Sequence, residues 1–338
     1  MTDRPSSSQG ATEPSEEQKR AEEEKARTAR YTKLSFDDGN IILQAETASF
    51  CVHRGILSLH SEVFRDMLMV GNAASEETRG GITVLRLSDP DADVYELLRA
   101  MYLPEHIYRP IPMAMGLCLT LLKMSTKYVV DFVRQEVINR LLMRYPRTLP
   151  EYMNRARTMM RAGIPKEEIN EGSVHILALE AALRLDVPEI LPTLFLECCQ
   201  MDLDDILNGV NIIMPNMPNN VVLQFIPSTL KAVLRGRQEL LDLRRRWICK
   251  MIPKLSNSWP GAHCRDGRDA LPRLLLSQST VAAFDIFSSG LGDVSEGFCQ
   301  TCEDGIKADQ AAINEQVWRR LPKCFGLKWE LSAVAAPE

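Results

Sequence analysis

The chain has 338 residues, 45% of them hydrophobic and 25% charged, with 18 Gly and 19 Pro. That is the composition of an ordinary globular protein and excludes collagen-like and wholly disordered chains. The length allows two domains, or one domain with a long extension, and either can bury a sizeable core. With 40 Lys+Arg against 45 Asp+Glu the formal charge is −5 at pH 7, so no general attraction to phosphate backbones or anionic membranes is expected.

Met1 to Gly10 lacks the charged and then apolar layout of a secretory signal. No apolar run approaches the roughly 18 residues of a membrane span, so a soluble, unexported protein is expected. The nine Cys are an odd number, and no Asn is followed two positions on by Ser or Thr. A reducing compartment, cytosol or nucleus, fits best.

Residues 1–30 hold no aromatic side chain and no aliphatic one larger than Ala, which predicts a mobile tail with nothing to bury. From Lys33 the pattern predicts a small β-meander: strands at Lys33–Phe36, Ile41–Ala45 and Ser49–Val52, with an Asp37-Asp38-Gly39-Asn40 turn after the first. Ile56, Leu59, Val63 and Met67 recur at helical spacing and predict one helix from Gly55 to Val70. A loop over 71–81, a strand at Ile82–Leu87 and a helix after Ser88-Asp89-Pro90 follow, the helix carrying Val94, Leu97, Leu98 and Met101 on one face. Helices are expected at Met113–Lys127 and Val130–Tyr145. After Pro146 no clear strand pattern reappears and the chain is mainly helical, at about 150–162, 174–185, 188–200, 202–208, 220–252, 270–276, 279–289 and 303–321.

GxGxxG after a strand, GxxxxGK[ST], HExxH and GxSxG are all missing, which argues against the common nucleotide, zinc-protease and serine-hydrolase sites. The five His, at 53, 60, 106, 175 and 263, have no recognisable spacing with a nucleophile. The informative block is Phe50-Cys51-Val52-His53-Arg54-Gly55-Ile56-Leu57, continuing to Ser61, Phe64 and Met67. It resembles the BTB/POZ signature, in which a strand ends in an aromatic-x-x-His-basic step and enters a helix with Leu, Ser, Phe and Met at fixed positions. Three further stretches resemble the same family in the same order: Val84–Asp89 like its fourth strand, Leu97–Tyr102 like a helix ending in Leu-x-x-x-Tyr, and Leu121–Tyr128 like the following "Leu-Leu-x-x-Ala-x-x-Tyr" helix. The opening Phe36–Ala45 and the helical tail are most similar to BTB proteins abundant in mushroom-forming fungi.

The resemblance implies a domain that associates with itself or with other BTB proteins. In BTB dimers of the familiar kind, an Asp opening the second strand and the basic residue after the His line a charged pocket at the subunit interface. Arg54 matches the basic partner, but Asn40 stands where the Asp would be, so Arg54 loses its usual counter-ion unless Asp37 or Asp38 substitutes. Cullin-binding relatives carry a hydrophobic-x-Glu element, to which Leu103-Pro104-Glu105 corresponds only loosely, and no cullin contact is read from it. His53, at a strand-to-helix junction, is read as bonding backbone groups left unpaired there, since a ligand or base would need partners in a constellation. Ser61 is read as a local backbone-bonding residue.

Cys299-Gln300-Thr301-Cys302 is a CxxC knuckle, with Cys264 and His263, or Cys249, upstream as further ligands. Three readings stand side by side: a structural zinc site, unrelated reduced thiols, and redox chemistry, the last lacking a βαβ context. Arg235, Arg237, Arg244, Arg245, Arg246, Lys250 and Lys254 form the strongest local positive charge, interleaved with Leu240, Leu241, Leu243 and Trp247. A solvated helix face explains this better than nucleic-acid binding.

The expected fold class is therefore α+β. A tail over 1–30 precedes a BTB/POZ-like domain over 31–145, a small β-sheet flanked by helices, and then a mainly α-helical region over 146–338 with a Cys-containing end. The expected function is protein–protein interaction by BTB-mediated homo- or hetero-oligomerisation, with an adaptor role and an unidentified protein partner. No enzyme activity, small-molecule substrate, membrane or required cofactor is expected. The alternative is a nuclear DNA-associated regulator using the basic helix 231–254 and a C-terminal zinc site.

Overall fold

The computed structural model describes residues 31–70, 77–103, 105–108, 113–161, 171–212, 221–257, 264 and 298–327. The expected tail over 1–30, the helices at 270–276 and 279–289, and His263 lie outside them. The chain forms two compact units. One comprises the described residues of Met1–Arg109 with Met124–Arg134, the other those of Pro110–Lys123 with Gln135–Glu338.

The first unit is built on a four-stranded sheet. Strand β1 (Ile41–Ala45) pairs antiparallel with β2 (Ala48–Val52), Ile41 opposite Val52. Two helices follow, α1 (Arg54–His60) and α2 (Glu62–Val70). Then come β3 (Thr78–Arg79) and β4 (Ile82–Leu87). The spatial order is β2-β1-β4-β3, and β1 runs parallel to β4 with Ile42 opposite Val84. The sheet is therefore not the simple meander expected. A parallel neighbour needs a crossover, and α1 and α2 supply it. As one of two inner strands, β1 buries Ile41, Ile42, Leu43 and Ala45, which explains its nearly continuous apolar sequence.

Three local expectations are corrected. Lys33–Phe36 is not a strand: Thr32–Leu34 form a single 3-10 turn, and Tyr31 and Leu34, three residues apart, are both buried. Tyr31 packs edge-on against Phe50 at 5.4 Å. The expected helix Gly55–Val70 is two helices, because Ser61 is extended at φ −143°, ψ 120°. Its Oγ accepts the Phe64 N–H at 3.0 Å, satisfying a first-turn donor of α2 and restarting the helix. The 71–81 loop contains β3, too short for any period to show. The turn before β1 needs its glycine: a Cβ at Gly39 would meet the Cys51 carbonyl at 2.9 Å.

Helices α3 (Asp91–Tyr102) and α4 (Glu105–Tyr108) complete this unit, and α5 (Met115–Lys127) and α6 (Asp131–Arg144) contribute residues to both. Val94, Leu97, Leu98 and Met101, the face expected of α3, are all buried.

The second unit continues with α7 (Leu149–Arg161), α8 (Gly172–Arg184), a 3-10 turn at Pro188–Ile190, α9 (Leu191–Gln200) and α10 (Leu203–Asn208). Two short strands, β5 (Val210–Ile212) and β6 (Val221–Leu223), pair antiparallel, correcting the expectation that no strand follows Pro146. Each has three residues, too few to alternate, and only the pairing makes them strands. The helix expected over 220–252 accordingly begins later, as α11 (Pro227–Asn257), and α12 (Gln300–Cys324) ends the described chain. Within this unit α9, α11 and α12 meet near Phe325, whose ring stacks on Phe195 at 4.9 Å. A Cβ on Gly236 of α11 would fall 2.0 Å from that ring, so the glycine is there for the close approach.

Candidate functional site

The strand-to-helix junction after β2 is held by side chains. His53, the residue capping α1, makes no side-chain bond to the helix backbone. Its Nδ1 instead lies 3.2 Å from the Tyr102 hydroxyl and its Nε2 3.2 Å from Asp38 Oδ1. The expectation that the ring satisfies backbone groups is thus corrected. It is Tyr102 that does so, its hydroxyl accepting the His53 N–H at 2.8 Å. Burial raises the Tyr102 phenol above its ordinary pKa, keeping it protonated. Phe36 stacks on Tyr102 at 4.9 Å. Asn40 is now explained: its Oδ1 accepts the Arg54 N–H at 2.8 Å, the first amide of α1, as a helix-capping side chain does. The Arg54 guanidinium donates to the Leu68 carbonyl at 2.9 Å, near the end of α2.

Tyr128 ties the other motifs together. Its hydroxyl donates to Asp89 Oδ2 at 2.6 Å, and its carbonyl accepts Ser61 Oγ–H at 2.5 Å. Its ring lies flat on Phe64, 4.5 Å between centroids and 6° between planes. Lys127 adds an ammonium contact to the same Asp89 oxygen at 2.6 Å. Burial, reinforced by the Asp89 bond, pushes the Tyr128 phenol well above its usual range. Each stretch singled out by sequence therefore bonds a side chain from another: Tyr102 to His53, Tyr128 to Ser61 and Phe64, Asp89 to Tyr128.

Residues 35–141 match the family model of the BTB/POZ domain. This segment is a BTB/POZ domain. BTB/POZ domains are protein-interaction modules. No curated protein and no solved structure matches the chain.

Within the BTB/POZ domain the signature residues divide by burial. Phe50, Leu57, Ser61 and Phe64 are buried and hold the core, while His53, Arg54 and Met67 are half-buried. The side chains presented outward are others. Leu59 on α1 is 78% exposed and Met69 on α2 is 66% exposed. Helical spacing placed Leu59 on the apolar stripe, but the break at Ser61 takes it out of register with α2. Glu105 is at the start of α4, and Pro104 of Leu103-Pro104-Glu105 lies outside the described residues.

In the second unit the cysteine cluster does assemble. Cys299 is the residue capping α12 and Cys302 lies in its first turn. The sulfurs of Cys264, Cys299 and Cys302 all lie within 4.8 Å of one another. The Cys299 N–H donates to Cys264 Sγ at 3.2 Å. Hydrogen bonds from the Cys302 amide and thiol lower the Cys299 pKa. Burial, with the two neighbouring thiols, pushes Cys302 up to about 12. Cys249 is exposed on α11 and is not among the three.

The basic run on α11 is partly turned inward. Arg244 is buried, which lowers its pKa. Arg237 donates to the carbonyls of Cys199 at 2.5 Å and Met201 at 3.0 Å, closing the C-terminal end of α9. Arg235, Arg245, Arg246 and Lys250 are exposed, and Arg245 reaches Asp242 at 3.4 Å. Leu240 and Trp247 are buried, as the stripe predicts.

One constellation was missed in the sequence. Glu197, buried on α9, accepts Tyr152 O–H at 2.7 Å and Arg155 N–H at 2.6 Å. Arg155 lies over the Tyr152 ring at 3.9 Å, and His175 faces the other carboxylate oxygen at 3.9 Å while its Nδ1 meets the Tyr145 hydroxyl at 3.0 Å. Burial lowers His175 to about 4, against the opposing pull of Glu197. These residues come from α7, α8, α9 and the position just after α6, and no spacing links the four segments. The network satisfies its own donors and acceptors and reads as structural.

Proposed function

We propose that this protein is a protein-interaction subunit. Its BTB/POZ domain binds a second BTB/POZ domain, in another copy of the chain or in another BTB protein, and the helical region acts as the adaptor arm that carries a further partner. The observation that carries this reading is the BTB/POZ match over 35–141, supported by the outward Leu59 and Met69. Large apolar side chains left in water lose that cost when a partner covers them. Arg54 bonds a main-chain carbonyl, so the association depends more on apolar burial than on a charged pocket. All nine cysteines are free thiols, which favours a reducing compartment, the cytosol or nucleus. The likeness of Phe36–Ala45 to BTB proteins of mushroom-forming fungi belongs to the same reading. Among the described residues no helix is long and apolar enough to cross a membrane.

The test is the mass of the full chain by sedimentation over a wide concentration range. A dimer or larger species is expected, and a Leu59→Asp, Met69→Asp double variant should weaken it by about tenfold or more in Kd with unchanged circular dichroism. A strictly monomeric chain that also fails to bind any purified BTB/POZ domain overturns the reading.

A further inference from the structure

The three thiols at the start of α12 lie outside everything the BTB/POZ domain accounts for. Cys299 and Cys302 sit one turn apart at one end of the helix, so their side chains emerge on the same side. Cys264 arrives from 35 residues upstream and accepts the Cys299 N–H. A tetrahedral zinc with Zn–S bonds of about 2.3 Å holds its thiolates about 3.8 Å apart. These sulfurs lie within 4.8 Å of one another, close enough to admit that spacing.

We propose that Cys264, Cys299 and Cys302 bind one structural zinc ion as thiolates, a donor outside the three completing the tetrahedron. Each Cys loses its S–H proton to solvent as its sulfur bonds the ion. No electron moves, so no oxidant is needed, whereas joining two of these thiols as a disulfide would require one. All-thiolate sets suit a soft or borderline cation and reject magnesium and calcium, which take oxygen. Three thiolates and one Zn²⁺ leave a net negative charge, and the amino end of a 25-residue helix is where such charge is stabilised. Cys264 and Cys302 are buried, at 2% and 4% exposure, and Cys299 is exposed, so two sulfurs of the site lie inside and one at the surface. The ion would clamp position 264 to the first turn of α12. The far end of that helix is held separately, Trp318 Nε1–H donating to the Arg147 carbonyl at 3.1 Å.

The experiment uses the full chain, expressed without a His tag and purified under reducing conditions. Elemental analysis should find roughly one zinc per chain. Replacing zinc with cobalt should give the intense thiolate-to-metal absorption of a sulfur-rich tetrahedral site. Cys264→Ser, Cys299→Ser and Cys302→Ser should each weaken cobalt binding by about tenfold or more, while Cys51→Ser, outside the cluster, leaves it unchanged. Zinc removal should speed hydrogen exchange in the first turns of α12 more than around Trp318. The cobalt spectrum of the unsubstituted chain needs no variant to fold. Its absence under excess metal overturns the proposal, as does metal content unchanged in a Cys299→Ser, Cys302→Ser double variant.

Discussion

The BTB/POZ domain caps its early helices with single side chains, the helical unit buries a carboxylate in a side-chain network, and the two devices differ in what they tolerate. In the BTB/POZ domain several polar side chains serve main-chain groups, while buried Asp89 and Asp91 bond the hydroxyls of Tyr128 and Tyr31. Ser61 caps α2, Asn40 caps α1, and Tyr102 takes the His53 amide. In the helical unit Glu197, Tyr152, Arg155, His175 and Tyr145 form a side-chain network drawn from three helices and the residue that follows a fourth. A cap is worth about 1 kcal/mol because water can replace part of it. A buried carboxylate among donors has no such replacement, so losing one member exposes the rest to an apolar surrounding.

The sharpest test of this contrast is Glu197→Ala. Removing the carboxylate from between Tyr152 and Arg155 should destabilise the protein by about 3–5 kcal/mol, measured by urea unfolding. Asn40→Ala, its counterpart in the BTB/POZ domain, should cost about 1 kcal/mol. Equal losses would erase the distinction.

A second test uses pH. His175 is neutral in the folded protein because its pKa is lowered from 6.5 to about 4, while in the unfolded chain it takes up a proton below 6.5. The unfolded state therefore binds more protons between these values, and stability present above 6.5 is lost as the pH falls towards 4, by roughly 2–3 kcal/mol. A His175→Gln variant should lack this part of the acid sensitivity. If both proteins lose stability in parallel over that window, burial does not hold His175 neutral.

The smallest effect concerns a helix end. Val129, after α5, has φ 51°, and the Val130 N–H reaches back to the Ser125 carbonyl at 2.8 Å. This is a helix stop that glycine adopts without strain. Val129→Gly should raise stability by about 1 kcal/mol. Asp186, at φ 52° after α8, is followed by a similar Val187 to Ala182 bond at 3.0 Å. Asp186→Gly should gain less, since Asp enters this region more readily than a β-branched residue. Comparable gains at both sites would show that branching at Cβ is not what strains the turn.

By itself the sequence determined the pieces whose physics is local. Strand β4 was legible to its ends, as was the buried face of α3, because a period of 2.0 or 3.6 needs only neighbouring residues to declare itself. The BTB/POZ resemblance was carried by short stretches for the same reason, and the CxxC at 299–302 was visible as a spacing. Tertiary structure decided what those stretches bond to. Ser61 broke a helix that periodicity had continued, because its hydroxyl serves α2 and the Tyr128 carbonyl at once. His53 turned to Tyr102 and Asp38, β5 and β6 became strands only through each other, and Cys264 joined the CxxC across 35 residues. The Glu197 network left no trace in any window of the sequence. Its members meet because three helices and the turn after α6 pack together, and only that packing brings a carboxylate, an imidazole and two phenols together.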